Sequence, residues 1–117
     1  MKVLNLNKQV ALGVKVYQTK CFFQRLKGLI GTNKLEEGEG LLITPCTSIH
    51  TFFMKYPIDV IYFDDENIIL HILHSIQPYS FSPIIKKAKG VLELPAGTCI
   101  STGSVVGDKI ELVYGEE

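Results

Sequence analysis

Cys46-Thr-Ser-Ile-His-Thr-Phe-Phe-Met-Lys-Tyr-Pro-Ile-Asp-Val-Ile-Tyr-Phe-Asp64 is the stretch on which the reading of this chain turns. It scans as two β-strands joined at Tyr56-Pro57, because aromatic and β-branched residues crowd both sides of a residue that cannot donate to a ladder. Successive side chains along a strand take opposite faces. His50, Phe52 and Met54 then share one face of the first strand, with Thr51, Phe53 and Lys55 on the other. In the second strand Ile58, Val60 and Tyr62 line one face, and Asp59, Ile61 and Phe63 the opposite one. Both rows of the second strand are mostly apolar, so Asp59 stands in a buried row. A buried carboxylate needs a cation or several amide donors, because an unpaired one protonates or destabilises the fold. Lys55, or Arg25 from an upstream helix, is the expected cation.

Outward from this stretch, turn residues punctuate the chain. Asp64-Asp65-Glu66-Asn67 reads as a hairpin loop leading into a strand over 68–74. Residues 75–83 hold two prolines, three serines and two aromatics and read as an ordered crossing. A strand over 90–94, a turn at Pro95-Ala96-Gly97, a turn over 103–108 and a last strand over 109–114 follow. Upstream, residues 41–44 form a short strand closed by Pro45, after a Gly- and Glu-rich loop over 36–40. Phe22, Leu26 and Leu29 recur at helical spacing, with Thr19 as N-cap and Gly31 as left-handed C-terminal cap, which predicts a helix over 20–30. Residues 10–17 alternate as one strand, after another over 3–6. Seven to nine short strands and one helix predict a mainly β fold, a small β-barrel or sandwich with one covering α-helix, in a single domain over 1–117.

Composition narrows the function classes. Twelve basic residues balance twelve acidic ones, so no global field draws nucleic acid or an anionic membrane, and neither is an expected partner. The basic run Lys86-Lys87-Ala88-Lys89 is short enough for a solvated loop. No apolar run reaches the ~20 residues of a transmembrane helix. Residues 1–8 alternate and lack a small-residue cleavage site, so a signal peptide is not expected and a cytoplasmic location is. Three cysteines without CxxC spacing suit free thiols rather than a disulfide framework, with Cys21 on the helix and Cys99 on a strand expected as packing residues.

Several motifs resemble one known family. Arg25-Leu-Lys-Gly28-Leu29, Pro45-Cys46, Ile49-His50-Thr51-Phe52-Phe53-Met54, Pro57-Ile58-Asp59-Val60 and Phe63-Asp64 are similar to the signature of the DUF192 family. So are Gly90-Val91-Leu92-Glu93-Leu94-Pro95-Ala96-Gly97-Thr98 and Gly107-Asp108. The resemblance spans residues 25–112 with the motifs in order. It implies a small bacterial or archaeal β-barrel or sandwich domain and names no biochemical role. Many members carry Trp-Met-Lys-Asn-Thr where this chain has Phe53-Met54-Lys55-Tyr56; with no tryptophan anywhere, it has no indole to stack there.

The candidate site residues are Arg25, Cys46, His50, Met54, Lys55, Asp59 and Glu93. Glu93 alternates with Val91 and Pro95, while Leu92 and Leu94 take the other face. Two readings compete. In the first, the chain is an accessory module that binds a small ligand or a protein partner. In the second it is a small enzyme, with Asp59 and Glu93 as an acid–base pair or Cys46 and His50 as a thiol–imidazole pair. A purely structural interaction domain is a third. Cys46 and His50 lie about 13 Å apart on an extended strand, so a turn at Thr47-Ser48 is needed to join them. His50, His71 and His74 follow no metal-ligand spacing, and no cofactor loop is recognisable, so no metal or cofactor is expected. If two or three of Phe52, Phe53, Tyr56, Tyr62, Phe63, Tyr79 and Phe81 reach the surface, they form a platform for a sugar, a peptide or a partner strand. Nothing in the sequence points beyond a monomer.

Overall fold

The structure, a computed structural model, describes residues 1–19, 35–51 and 54–115. The helix expected over 20–30, with Arg25 and Cys21, lies outside the described residues, as do Phe52 and Phe53. The strands are β1 (Lys2–Asn5), β2 (Val10–Gly13), β3 (Lys15–Thr19), β4 (Glu39–Ile43), β5 (Ile58–Phe63), β6 (Ile69–Ile76), β7 (Gly90–Pro95) and β8 (Ile110–Val113). A short helix, α1 (Thr98–Thr102), stands between β7 and β8.

Two sheets result, a three-stranded one in the order β2-β1-β8 and a five-stranded one in the order β3-β4-β7-β5-β6. All neighbours are antiparallel except β3 and β4. Among the described residues neither sheet closes into a barrel, and of the two architectures expected the fold is consistent with the small sandwich.

Every residue of β5 is buried, because both faces of the large sheet are covered. Ile61 and Phe63 pack with Val3, Leu12, Leu92, Leu94 and Ile110 in the core between the sheets. Ile58, Val60 and Tyr62 pack with Leu41, Ile43, Ile49, Met54 and Val91 on the outer face. The two rows read from the alternation of β5 are therefore two separate cores. Gly90 keeps β7 close at one end, since a Cβ there would come within 2.7 Å of the Phe63 ring and 2.9 Å of the Ile43 carbonyl.

Three expected elements differ. Residues 10–17 are not one strand: the chain turns a corner at Val14, where the N–H groups of Val14 and Lys15 both donate to the Gly38 carbonyl. A Cβ on Gly13 would lie 2.7 Å from a Val16 methyl, so the corner needs glycine. Its product is a switch of sheets, with β2 in one and β3 in the other. Among the described residues of the strand expected before Tyr56, none lies in a named strand, and His50 forms an isolated bridge to Phe81. Thr51 explains this, because its backbone and hydroxyl bond residues 77–80 and not a neighbouring sheet strand. Cys99 belongs to α1 and not to a strand, because Gly97 at φ 94° turns the chain into a helical turn that Gly103 at φ 72° ends.

Candidate functional site

Asp59 is fully buried, and the sequence marks it as an anomaly. Its pairing with Leu94 places it on the face of the core between the sheets. Lys55 is exposed and is not the partner. Asp59 Oδ1 accepts the N–H of Ser75 at 2.8 Å, and Oδ2 accepts the N–H of Cys99 at 2.9 Å. The first donor exists because β6 bulges. Val60 stands opposite Leu73 while Ile58 stands opposite Ile76, so three residues of β6 step past two of β5. Ser75 takes up the extra residue at φ 50°. The second donor belongs to the first turn of α1, whose N-cap Gly97 offers no side chain of its own. Asp59 thus caps from a distant strand a helix that cannot cap itself. Burial and the neighbouring Asp59 carboxylate push the Cys99 thiol up to about 12, which keeps it protonated and unreactive.

Glu93 is equally buried, but on the other face. It stands opposite Leu41 in β4 and Val60 in β5, and both belong to the outer core. The five-stranded sheet therefore lies between Asp59 and Glu93, and the acid–base pair considered from sequence is not assembled. Cys46 and Met54 pack on Glu93's face, Met54 buried and Cys46 half-buried. Four of the candidates (Cys46, His50, Met54 and Glu93) therefore belong to the outer side of the large sheet and its cover.

Among the described residues that cover includes two loops, residues 44–51 with 54–57 and residues 77–89, stitched together by hydrogen bonds. The Thr51 hydroxyl donates to the Gln77 carbonyl at 2.7 Å and accepts the Ser80 N–H at 2.8 Å. The Thr51 N–H also donates to the Ser80 carbonyl, and the Tyr79 N–H donates to the Thr51 carbonyl. The Ser82 hydroxyl accepts the Ile49 N–H at 2.8 Å, and the Ile85 N–H donates to the Thr47 carbonyl. From below, the Tyr62 hydroxyl donates to the Pro83 carbonyl at 2.8 Å. Burial pushes the Tyr62 phenol up, opposed by its Ser82 hydrogen bond and reinforced by nearby Cys46. The Cys46 thiol donates to the Ser48 carbonyl at 3.0 Å. His71 meets the Tyr62 ring edge-on at 5.7 Å, His74 is exposed on β6, and His50 is at the Phe81 bridge. The three histidines do not converge.

The platform condition set by the sequence is met. Tyr62 and Phe63 are core, whereas Tyr79 is 67% exposed and Phe81 75%. Ile84, which the sequence did not single out, is 69% exposed on the same loop.

A family model described as "Uncharacterized ACR" matches residues 3–112. The chain belongs to the DUF192 family. A UPF0127 protein of Thermococcus sibiricus is 32% identical over 108 residues, 89% of this chain and 68% of its own length. One from Pyrococcus abyssi is 32% identical over 117 residues, 95% of this chain and 97% of its own. Among solved structures, a protein of unknown function from Novosphingobium aromaticivorans superposes with a TM-score of 0.79 at 21% identity, over 95% of this chain and 82% of that one. A candidate transcription regulator from Sinorhizobium meliloti gives 0.76 at 23%, over 94% and 89%. At such identities these structures share the fold alone. Among the described residues, no helix of this DUF192 chain is long and apolar enough to cross a membrane.

One polar cluster of this DUF192 chain escaped the sequence reading. Asn5, fully buried, donates from Nδ2 to Ser104 Oγ at 2.9 Å and to Asp108 Oδ2 at 3.0 Å. Lys8 Nζ lies 3.1 Å from Asp108 Oδ2, and the Val105 N–H donates to the same oxygen. Burial pushes the Asp108 carboxyl up, but hydrogen bonds from Asn5, Val105 and Lys8, with the Lys8 charge, outweigh it and hold the group below its usual 3.8. The cluster ties the β1–β2 turn to the turn before β8. Gly107-Asp108 showed only as a turn, because its partners stand about a hundred residues away in the chain.

Proposed function

We propose that this DUF192 chain is a binding module. Its docking surface is the loop pair over the outer face of the large sheet. Tyr79 and Phe81 form the contact platform, His50 stands beside Phe81, Lys55 is exposed on the neighbouring loop, and Cys46, Met54 and Glu93 support the platform from below. The observation that carries this reading is the exposure of Tyr79 and Phe81 on a loop that hydrogen bonds hold in place. Tyr79 sits at φ 62°, a left-handed conformation that costs an L-residue about 1–2 kcal/mol. Strain of this kind persists where the surroundings over-determine the backbone, and it gathers at functional surfaces. A loop fixed in advance loses little conformational entropy on docking, and exposed aromatics supply most of the contact energy of such surfaces. The enzymatic alternative is less well supported, because its acid–base pair is split across the sheet.

A thermal-shift and amide-NMR screen with oligosaccharides and short peptides tests the reading. Compounds that shift the parent are expected to lose their effect on Phe81→Ser and to weaken on Glu93→Gln, both folded by the same spectra. Compounds whose effect survives both substitutions, with perturbed amides elsewhere, would refute it.

A further inference from the structure

The two edges of the five-stranded sheet are treated differently. At one edge Val16 of β3 has both backbone groups occupied, its N–H donating to the Met1 carbonyl at 2.9 Å and its carbonyl accepting the Met1 ammonium at 3.1 Å. At the other edge β6 pairs with β5 and, among the described residues, with no other strand. Its first residue is taken, since the Ile69 N–H donates to the Asp108 carbonyl and the Ile69 carbonyl accepts the Gly107 N–H. Near its end the Ser75 N–H donates to Asp59 and the Ser75 carbonyl accepts the Gln77 side-chain amide. Among the described residues, Leu70 to His74 make no backbone hydrogen bond away from β5. Leu70, His71, Ile72 and Leu73 are half-buried, and His74 is exposed. No Asp, Glu, Lys or Arg stands between Ile68 and Ile85. Proteins that leave a strand edge free blunt it with charge, proline, bulges or a short strand. β6 is eight residues long, has neither charge nor proline, and is bulged near its two ends. Between the bulges His71, Ile72 and Leu73 keep regular register with Tyr62, Ile61 and Val60.

We infer that this edge takes up an extended peptide segment of another protein as a sixth strand of the sheet. The edge is separate from the loop pair and does not depend on it. Its own groups specify the occupant. A strand edge offers N–H and carbonyl groups in alternation, and an extended backbone about 4.8 Å away returns acceptors and donors in the same alternation. Such strand addition takes its affinity from main-chain bonds and its selectivity from alternate side chains. Here the neighbours are apolar on both faces, with Leu70 and Leu73 beside the outer core and Ile72 beside the core between the sheets. A segment rich in β-branched residues gains cross-strand contact with them, whereas a charged one finds no opposite charge on β6. A second copy of β6 is the poorer occupant. It brings its own two bulges, so two folded edges stay in register over His71 to Leu73 alone, while a flexible segment steps past the bulges.

Amide NMR on the isotope-labelled full chain tests this with a short blocked peptide of alternating valine and threonine, carrying a lysine at each end. The amides of Leu70 to His74 are expected to shift. Hydrogen exchange of those that point away from β5 should slow about tenfold when the peptide stands at about ten times its dissociation constant, by mass action. The same peptide N-methylated at every residue keeps its side chains but has no donors, and should leave both readouts unchanged. The absence of any shift on β6 up to millimolar peptide overturns the inference, and so does an effect that survives full N-methylation. Slowing of the same amides with protein concentration alone, together with a dimer in sedimentation velocity, would give the edge to a second copy and overturn it as well. The loop surface is read through Phe81→Ser and the edge through the β6 amides, so either can fail without the other.

Discussion

The five-stranded sheet buries one carboxylate on each face, and the two stand in different settings. Asp59 lies in the core between the sheets, with both oxygens on backbone amides of a strand bulge and a helix start. Glu93 lies on the outer face, the face on which Cys46 and Met54 pack and which the two cross-linked loops cover. A buried charge alone does not mark a functional site. What separates the two is the covering layer: a second sheet over Asp59, and loops that present side chains to solvent over Glu93. On this comparison Asp59 holds two turns in place, and the face that Glu93 shares is the one proposed for docking.

The comparison breaks most readily at Asp59. Asp59→Ala leaves the part-buried Ser75 amide and the buried Cys99 amide without their acceptor, and each such loss costs about 1–3 kcal/mol. Urea melts should therefore show a loss of about 3 kcal/mol or more, with Asp59→Asn, which keeps one good acceptor, in between. A near-neutral Asp59→Ala would return Asp59 to the candidate site.

Asp108 gives a smaller effect with a pH signature. Its carboxyl is held below the unfolded value of 3.8, so its contribution is complete above that pH and is lost as the pH falls through the lower folded value. Asp108→Asn should cost about 1–2 kcal/mol near neutrality, on hydrogen-bond arguments, and should remove part of the acid destabilisation of the parent. Urea melts at neutral and acid pH check this. Parallel losses in parent and variant would show that Asp108 takes no part in the acid response.

The thiols sharpen the contrast between the faces by rate. Cys99 is fully buried and pushed to about 12, whereas Cys46 is half-buried on the loop side. Under native conditions peptide-resolved mass spectrometry should find iodoacetamide on Cys46 well before Cys99. Equal labelling would mean that the core between the sheets opens as readily as the loop cover.

The smallest effect belongs to Ile84, which is 69% exposed. Ile84→Ser should change the unfolding free energy by less than about 0.5 kcal/mol, as surface changes usually do, while weakening the effect of any compound that binds the loop pair. A larger loss would make Ile84 part of the packing and shrink the docking surface.

Much of the fold was written in local pattern. The apolar run from Ile58 to Phe63 and the turn residues around it determined β5, its two faces and the return into β6, because alternation and turn chemistry are properties of neighbours in sequence. Glu93 opposite in facing to Leu92 and Leu94 followed in the same way, and so did membership of the DUF192 family. The tertiary structure alone decided the rest. Asp59 finds its amides 16 and 40 residues away, so no local rule could prefer them to Lys55. Residues 46–56 have the composition of a strand, but Thr51 places its hydrogen bonds on residues 77–80, and the described residues of the segment form no named strand. The corner at Val14 is set by the Gly38 carbonyl, which arrives from beyond β3. Periodicity records which way a side chain points; only the assembled sheets determine what it meets there.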